Sequence, residues 1–117
     1  MSGPKSPVMT VVNVRHLGGA LADPVDSAVG KRQAAYSVNV LSPVEDLDAV
    51  IAVQRDALAP LQEVKVGRSL NFSYGPLSEE EVGDAYEPAD YQRLRELKAE
   101  YDPNVRFHAN HPIAPAR

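Results

Sequence analysis

The chain has 117 residues, a formal net charge of -4 and no cysteine. That length fits one domain with a core of its own. The acidic balance supplies no clustered cations for nucleic acid or anionic lipid. The missing thiol removes disulfides, thiolate nucleophiles and cysteine-ligated metal. No apolar run approaches the roughly 20 residues of a bilayer-spanning helix, so a cytoplasmic protein without membrane or nucleic-acid partners is expected.

Residues 1–7 hold Pro4 and Pro7 but no apolar stretch, and are expected to form a disordered leader rather than a signal peptide. Val8 to Leu17 is rich in β-branched residues and bounded by Pro7 and Gly18-Gly19, the pattern of a strand. Alternation puts Thr10, Val12, Val14 and His16 on one face, expected to meet the core, and Val11, Asn13, Arg15 and Leu17 on the other. Gly18 to Lys31 reads as a long loop. Gln33 to Leu41 reads as a second strand, with Tyr36, Val38 and Val40 on one face and Ser37 and Asn39 on the other. Antiparallel pairing of the two strands is the simplest arrangement.

Ser42-Pro43-Val44-Glu45 has the order of a helix start: a cap, a first-turn proline and an acid three residues on. Val44, Leu47, Val50, Ile51, Leu58 and Leu61 then follow helical spacing until Pro60 interrupts the pattern. Lys65 to Tyr74 is expected to be a third strand, closed by Gly75-Pro76. Ser78 followed by Glu81 predicts a capped helical turn. A final helix runs from Glu87-Pro88 to Asp102-Pro103, with Tyr91, Leu94, Leu97 and Tyr101 as its apolar stripe. The fold class is therefore α+β: a single domain over 8–117, with a small antiparallel sheet of about three strands and helices on one face. Open sheet edges of this kind favour a homodimer.

Six residues are candidates for chemistry. His16, at a strand end beside a glycine turn, has the imidazole of a general base. Tyr36 and Ser69 are further catalytic candidates on strands, although no base adjoins Ser69 in sequence. Arg15 has the fork that holds a carboxylate bidentately. Asn71 and Tyr74 are candidates for binding a small molecule. His108 and His111 are three apart in an irregular tail and lack a third ligand, so no metal site is expected.

The last third reads Arg68-Ser69-Leu70-Asn71-Phe72-Ser73-Tyr74, then Tyr91-Gln92-Arg93-Leu94-Arg95-Glu96-Leu97-Lys98-Ala99-Glu100-Tyr101-Asp102-Pro103, then Phe107 and Asn110-His111-Pro112-Ile113-Ala114-Pro115. This order resembles the C-terminal segment of berberine-bridge-type FAD-linked oxidoreductases. Arg15-His16-Leu17-Gly18-Gly19-Ala20 and Arg32-Gln33-Ala34-Ala35-Tyr36 are similar to the preceding strands of that family's substrate domain. The resemblance implies an antiparallel sheet backed by helices and a pocket for an aromatic or polyketide-like molecule of secondary metabolism. It also implies an Asn71 directed at that pocket, and a tail in which Phe107, Ile113 and Pro115 pack against the FAD-binding domain. The family's glycine-rich phosphate loop is absent here, and Ser69 stands where many members carry a tyrosine base. Flavin oxidation by this chain alone is therefore not expected, and no cofactor is assigned. A flavin-free domain that binds or transforms a small molecule by acid/base chemistry, as an isomerase or cyclase would, is one reading. An accessory subunit completing the pocket of a separate FAD-dependent chain is a second, and a non-enzymatic interaction module a third.

Overall fold

The computed structural model describes residues 8–117; the expected leader over 1–7 lies outside them. The described residues are α+β, a two-stranded antiparallel sheet with three α-helices and short 3-10 turns. It divides into two compact units. One comprises the described residues up to Gly18 together with Ala34–Lys65; the other comprises Gly19–Gln33 and Val66–Arg117.

The first unit is a ribbon and a helix. Strand β1 (Val11–His16) pairs antiparallel with β2 (Tyr36–Leu41), Val11 opposite Leu41 and His16 opposite Tyr36. Leu17 N–H donates to the Ala35 carbonyl at 2.8 Å, carrying the ladder past the strand ends. At the far end the Thr10 and Ser42 hydroxyls lie 3.1 Å apart. That contact explains why the helix does not begin at Ser42 as predicted. The hydroxyl is engaged across the ribbon, and the chain stays non-helical until Asp46, whose carboxylate accepts from Ala49 N–H and caps α1 (Leu47–Leu58). Helix α1 packs against β2 and buries Val50. The face of β1 expected to meet the core does not: Val12 and Val14 are 56% and 60% exposed.

The second unit holds α2 (Glu79–Gly83) and α3 (Pro88–Tyr101). The predicted capping box is present: Ser78 Oγ accepts from Glu81 N–H at 3.2 Å, and Glu81 Oε2 accepts from Ser78 N–H at 2.9 Å. Val82, 1% exposed, is the centre of this unit. Tyr86 and Tyr91 stack with ring centroids 5.8 Å apart, and Gly83 lets α2 approach the Tyr91 ring, since a Cβ there would sit 3.3 Å from it. Tyr101, expected in the apolar stripe, is 75% exposed.

No third strand exists among the described residues. Leu70–Phe72 is a 3-10 turn. Phe72 N–H and Ser73 Oγ both donate to the Ser69 carbonyl, and Ser73 N–H to the Leu70 carbonyl. These local bonds satisfy backbone groups that a strand would present to a neighbour.

Polar staples close the second unit. Lys31, at φ 59, donates its N–H to Glu87 Oε1 at 3.2 Å and pairs its ammonium with Glu87 Oε2 at 3.5 Å. Its side chain crosses Gly67 so closely that a Cβ there would fall 2.5 Å from Lys31 Cγ and 2.8 Å from the Asp84 carbonyl oxygen. Asp102 ends α3 and is buried. Its carboxylate accepts from the Lys98 ammonium, from Arg106 N–H at 2.7 Å and from Phe107 N–H at 3.1 Å. Val105 takes a left-handed backbone, φ 48, where the chain reverses after α3. The tail then returns along that helix: Arg95 Nε donates to the Ala114 carbonyl at 3.2 Å, and Ala116 N–H to the Arg95 carbonyl at 3.0 Å. No helix of the described residues is long and apolar enough to cross a membrane.

Candidate functional site

Two groups of candidate residues emerge, one in each unit. On the ribbon, His16 and Tyr36 are directly opposed, their rings 5.2 Å apart and tilted by 57°. Alternation places His16 with Val12 and Val14, and Tyr36 with Val38 and Val40; the register joins the two sets on one face. Tyr36 is 60% exposed, and the ring pair rests on an open surface rather than in a cavity. Arg15 projects to the other face, opposite Ser37 and one same-face rung from the opposed pair Asn13 and Asn39. Asn13, Asn39 and Ser37 gain their place beside Arg15 from the register, a signal the separate strands carried but their pairing was needed to read.

Ser69, Asn71 and Tyr74 belong to the second unit. They are not successive positions on a strand face, because the 3-10 turn rotates them apart. Ser69 and Asn71 are exposed. The Ser69 side chain makes no capping bond to the turn that follows it. Nothing in this arrangement activates the Ser69 hydroxyl, which needs an adjacent base to become a nucleophile. Tyr74 lines a shallow cleft of about 400 Å³ with Ser73, Gly75, Pro76, Asn110 and His111.

His111 fastens the tail. Its Nε2 donates to the Ser73 carbonyl at 2.8 Å, which leaves the buried Nδ1 as an acceptor with no partner. Among the described residues no group of three or more metal-ligating side chains is placed to hold an ion.

The electrostatics of the second unit centre on Asp102. The Lys98 ammonium, first, and the Arg106 and Phe107 N–H groups hold its carboxyl at about 2, against the opposing effect of burial. Tyr91 is shifted the other way: burial and then the nearby Glu79 carboxylate raise its hydroxyl above the ordinary value.

The residues present do not fit the pyrophosphate of an FAD. Gly18-Gly19 feed a three-residue 3-10 turn, Gly19–Leu21, rather than the helix N-terminus that cradles phosphate. The described α-helices begin with acids: Asp46 and Asp48 at α1, Glu79, Glu80 and Glu81 at α2, Glu87 and Asp90 at α3. Carboxylates at those positions repel a second anion. Two cations of the second unit, Lys31 and Arg68, are already paired with Glu87 and Glu81.

Residues 70–114 match the family model described as berberine and berberine like. No curated protein and no solved structure matches the chain. The matched residues run from the 3-10 turn at Leu70 through α2, α3 and the Asp102 knot to the returning tail at Ala114.

Proposed function

We propose that this chain, berberine-like over residues 70–114, is the part of an FAD-linked oxidoreductase that completes the substrate pocket while another body holds the flavin. The observation that carries the reading is the distribution of apolar surface. Val50 and Val82 are the buried apolar residues among those described, at 4% and 1% exposure, whereas Val12 and Val14 on one face of a single strand are 56% and 60% exposed. A folded chain of this length ordinarily encloses a sizeable core. Contiguous apolar surface left in water marks an interaction site. Phe107, 77% exposed in the family-matched segment, adds to the same surface inventory. The acid-capped helices give the dinucleotide no seat here, so binding of FAD falls to the partner body.

This geometry favours the completing role over a self-contained flavin-free catalyst. The candidate cleft at Tyr74 is open, and neither His16 nor Ser69 is held against a reacting partner by the described side chains.

Two measurements test the reading. The purified chain is titrated with FAD and with an apolar dye; the expected result is dye fluorescence without saturable flavin binding. It is then mixed with an FAD-containing body of a berberine-type oxidoreductase from which the equivalent segment has been removed. Co-elution and return of substrate oxidation are expected, and both should weaken in the Val12→Asp and Val14→Asp variants. A chain that binds FAD tightly by itself, or that never associates with any such body and leaves the dye dark, would overturn the proposal.

A further inference from the structure

The register divides the ribbon into two faces. One carries Val12 opposite Val40, Val14 opposite Val38 and His16 opposite Tyr36. The other carries the apolar pair Val11 and Leu41 at one end, then Asn13 opposite Asn39 and Arg15 opposite Ser37. Directly opposed residues of an antiparallel pair place their Cβ atoms roughly 5 Å apart. Two amides, a guanidinium and a hydroxyl are therefore gathered on neighbouring rungs of one face.

Lack of partners separates Arg15 from several of the chain's other arginines. Arg32 donates to the Asp23 and Ala20 carbonyls, Arg68 pairs with Glu81, Arg93 with Glu96 and Arg95 with Glu79. Among the described residues, no hydrogen bond or ion pair engages the side chain of Arg15, Asn13, Asn39 or Ser37. No acidic residue occurs from Val8 to Gly18 or from Ala34 to Val44, so the ribbon itself holds no counter-charge for Arg15. The chain as a whole is acidic, at -4. A guanidinium without a counter-charge on its own ribbon, beside two free amides, is complementary to an anion that brings further acceptors with it.

Resting on the docking role proposed above, in which the valine face meets the protein partner, we propose that the Asn13, Arg15, Ser37 and Asn39 face receives a small organic carboxylate. The Arg15 fork pairs with the carboxylate oxygens. Asn13 and Asn39 each offer both a donor and an acceptor, which suits a hydroxyl or carbonyl next to the acid group. Ser37 supplies a further hydroxyl on the Arg15 rung. The ligand class assigned to this face is accordingly an acid-bearing organic molecule, held through its carboxylate rather than by apolar contact alone.

The test uses the full chain labelled for NMR, with benzoate as the anionic probe and benzamide as its neutral counterpart. The expected result is a saturable shift of the Asn13 and Asn39 side-chain amides with benzoate and none with benzamide. Arg15→Gln should weaken benzoate at least about tenfold, the scale of one charge-assisted bidentate contact. Unmoved Val12 and Val40 amides would show that the ribbon is intact in that variant. Equal shifts from both probes, no shift from benzoate, or an unchanged benzoate affinity in Arg15→Gln would overturn the assignment. The same variant is added to the FAD-containing body. Retained assembly is expected; lost assembly would assign Arg15 to an acidic side chain of the protein partner and overturn the ligand site, while leaving the docking role standing.

Discussion

The two units of this chain are held together by different means. In the second, backbone and side-chain polar groups are tied to one another, some within a turn and some across the chain: the Ser78–Glu81 box, the Lys31–Glu87 clamp, the Asp102 knot and the Arg95 contacts to the tail. In the first, a ladder of backbone hydrogen bonds joins two strands whose valines lie largely in water, with one helix against β2. Polar closure of the second kind fixes a shape without needing a large core. A bare ribbon needs something to cover it, because an isolated two-stranded sheet is marginal by itself. The family-matched segment falls wholly within the self-closing unit, and the open ribbon is where association is proposed.

Hydrogen exchange can separate the units, and the largest effect is expected at the centre of the second. Val82→Ala should cost about 2–3 kcal/mol by leaving a cavity, seen as faster exchange in α2 and α3 with β1 and β2 unchanged. Uniform acceleration across both would mean that they unfold as one body and would erase the contrast. Gly67→Ala comes next, at about 1–3 kcal/mol, because a Cβ must displace Lys31 and meets the Asp84 carbonyl, which cannot swing away. Urea unfolding read by the tyrosine near-ultraviolet signal would measure it.

The Asp102 knot gives a pH-dependent test. Its carboxyl is ordinarily at 3.8 and is depressed to about 2 in the folded chain. A depressed carboxylate stabilises the folded state above its unfolded value, and that contribution is lost as pH falls from 3.8 through about 2. Amide protection at Arg106 and Phe107 should fade across that window. In Asp102→Asn it should already be weak at neutral pH and flat on acidification.

The smallest effect on stability is expected on the ribbon. Val12→Thr with Val14→Thr should change the isolated chain by no more than about 0.5 kcal/mol, as exposed substitutions usually do, yet reduce capture of the FAD-containing body. A large loss of stability instead would show that these valines are already covered.

Much of this was legible in the residues. The Ser78–Glu81 box, the proline at the start of α3 and the Asp102-Pro103 stop are local signals, and they hold because nothing distant competes with them. The pairing of β1 with β2 followed from two β-branched segments with matched alternation. The failures have distant or competing causes. Ser42 looked like a cap, but its hydroxyl faces Thr10, which lies 32 residues away in sequence, and Asp46 capped the helix instead. Leu70 to Phe72 had strand-like residues, but Ser73 and Phe72 turn back onto the Ser69 carbonyl and remove the extended path. Ser69, Asn71 and Tyr74 were therefore assigned a common strand setting they do not have. The meeting of His16 with Tyr36, like the company of Arg15, depended on a register that alternation does not determine.

Val105 carries a consequence of its own. A β-branched side chain in a left-handed backbone is conformationally costly, and glycine or asparagine would rest there more easily. The reversal after α3 is held by the Asp102 carboxylate, which accepts from the N–H groups of the two residues that follow Val105. One carboxylate thus offsets the cost of a strained valine, and the route of the tail from the helix end toward His111 and the Ser73 carbonyl starts from that single side chain.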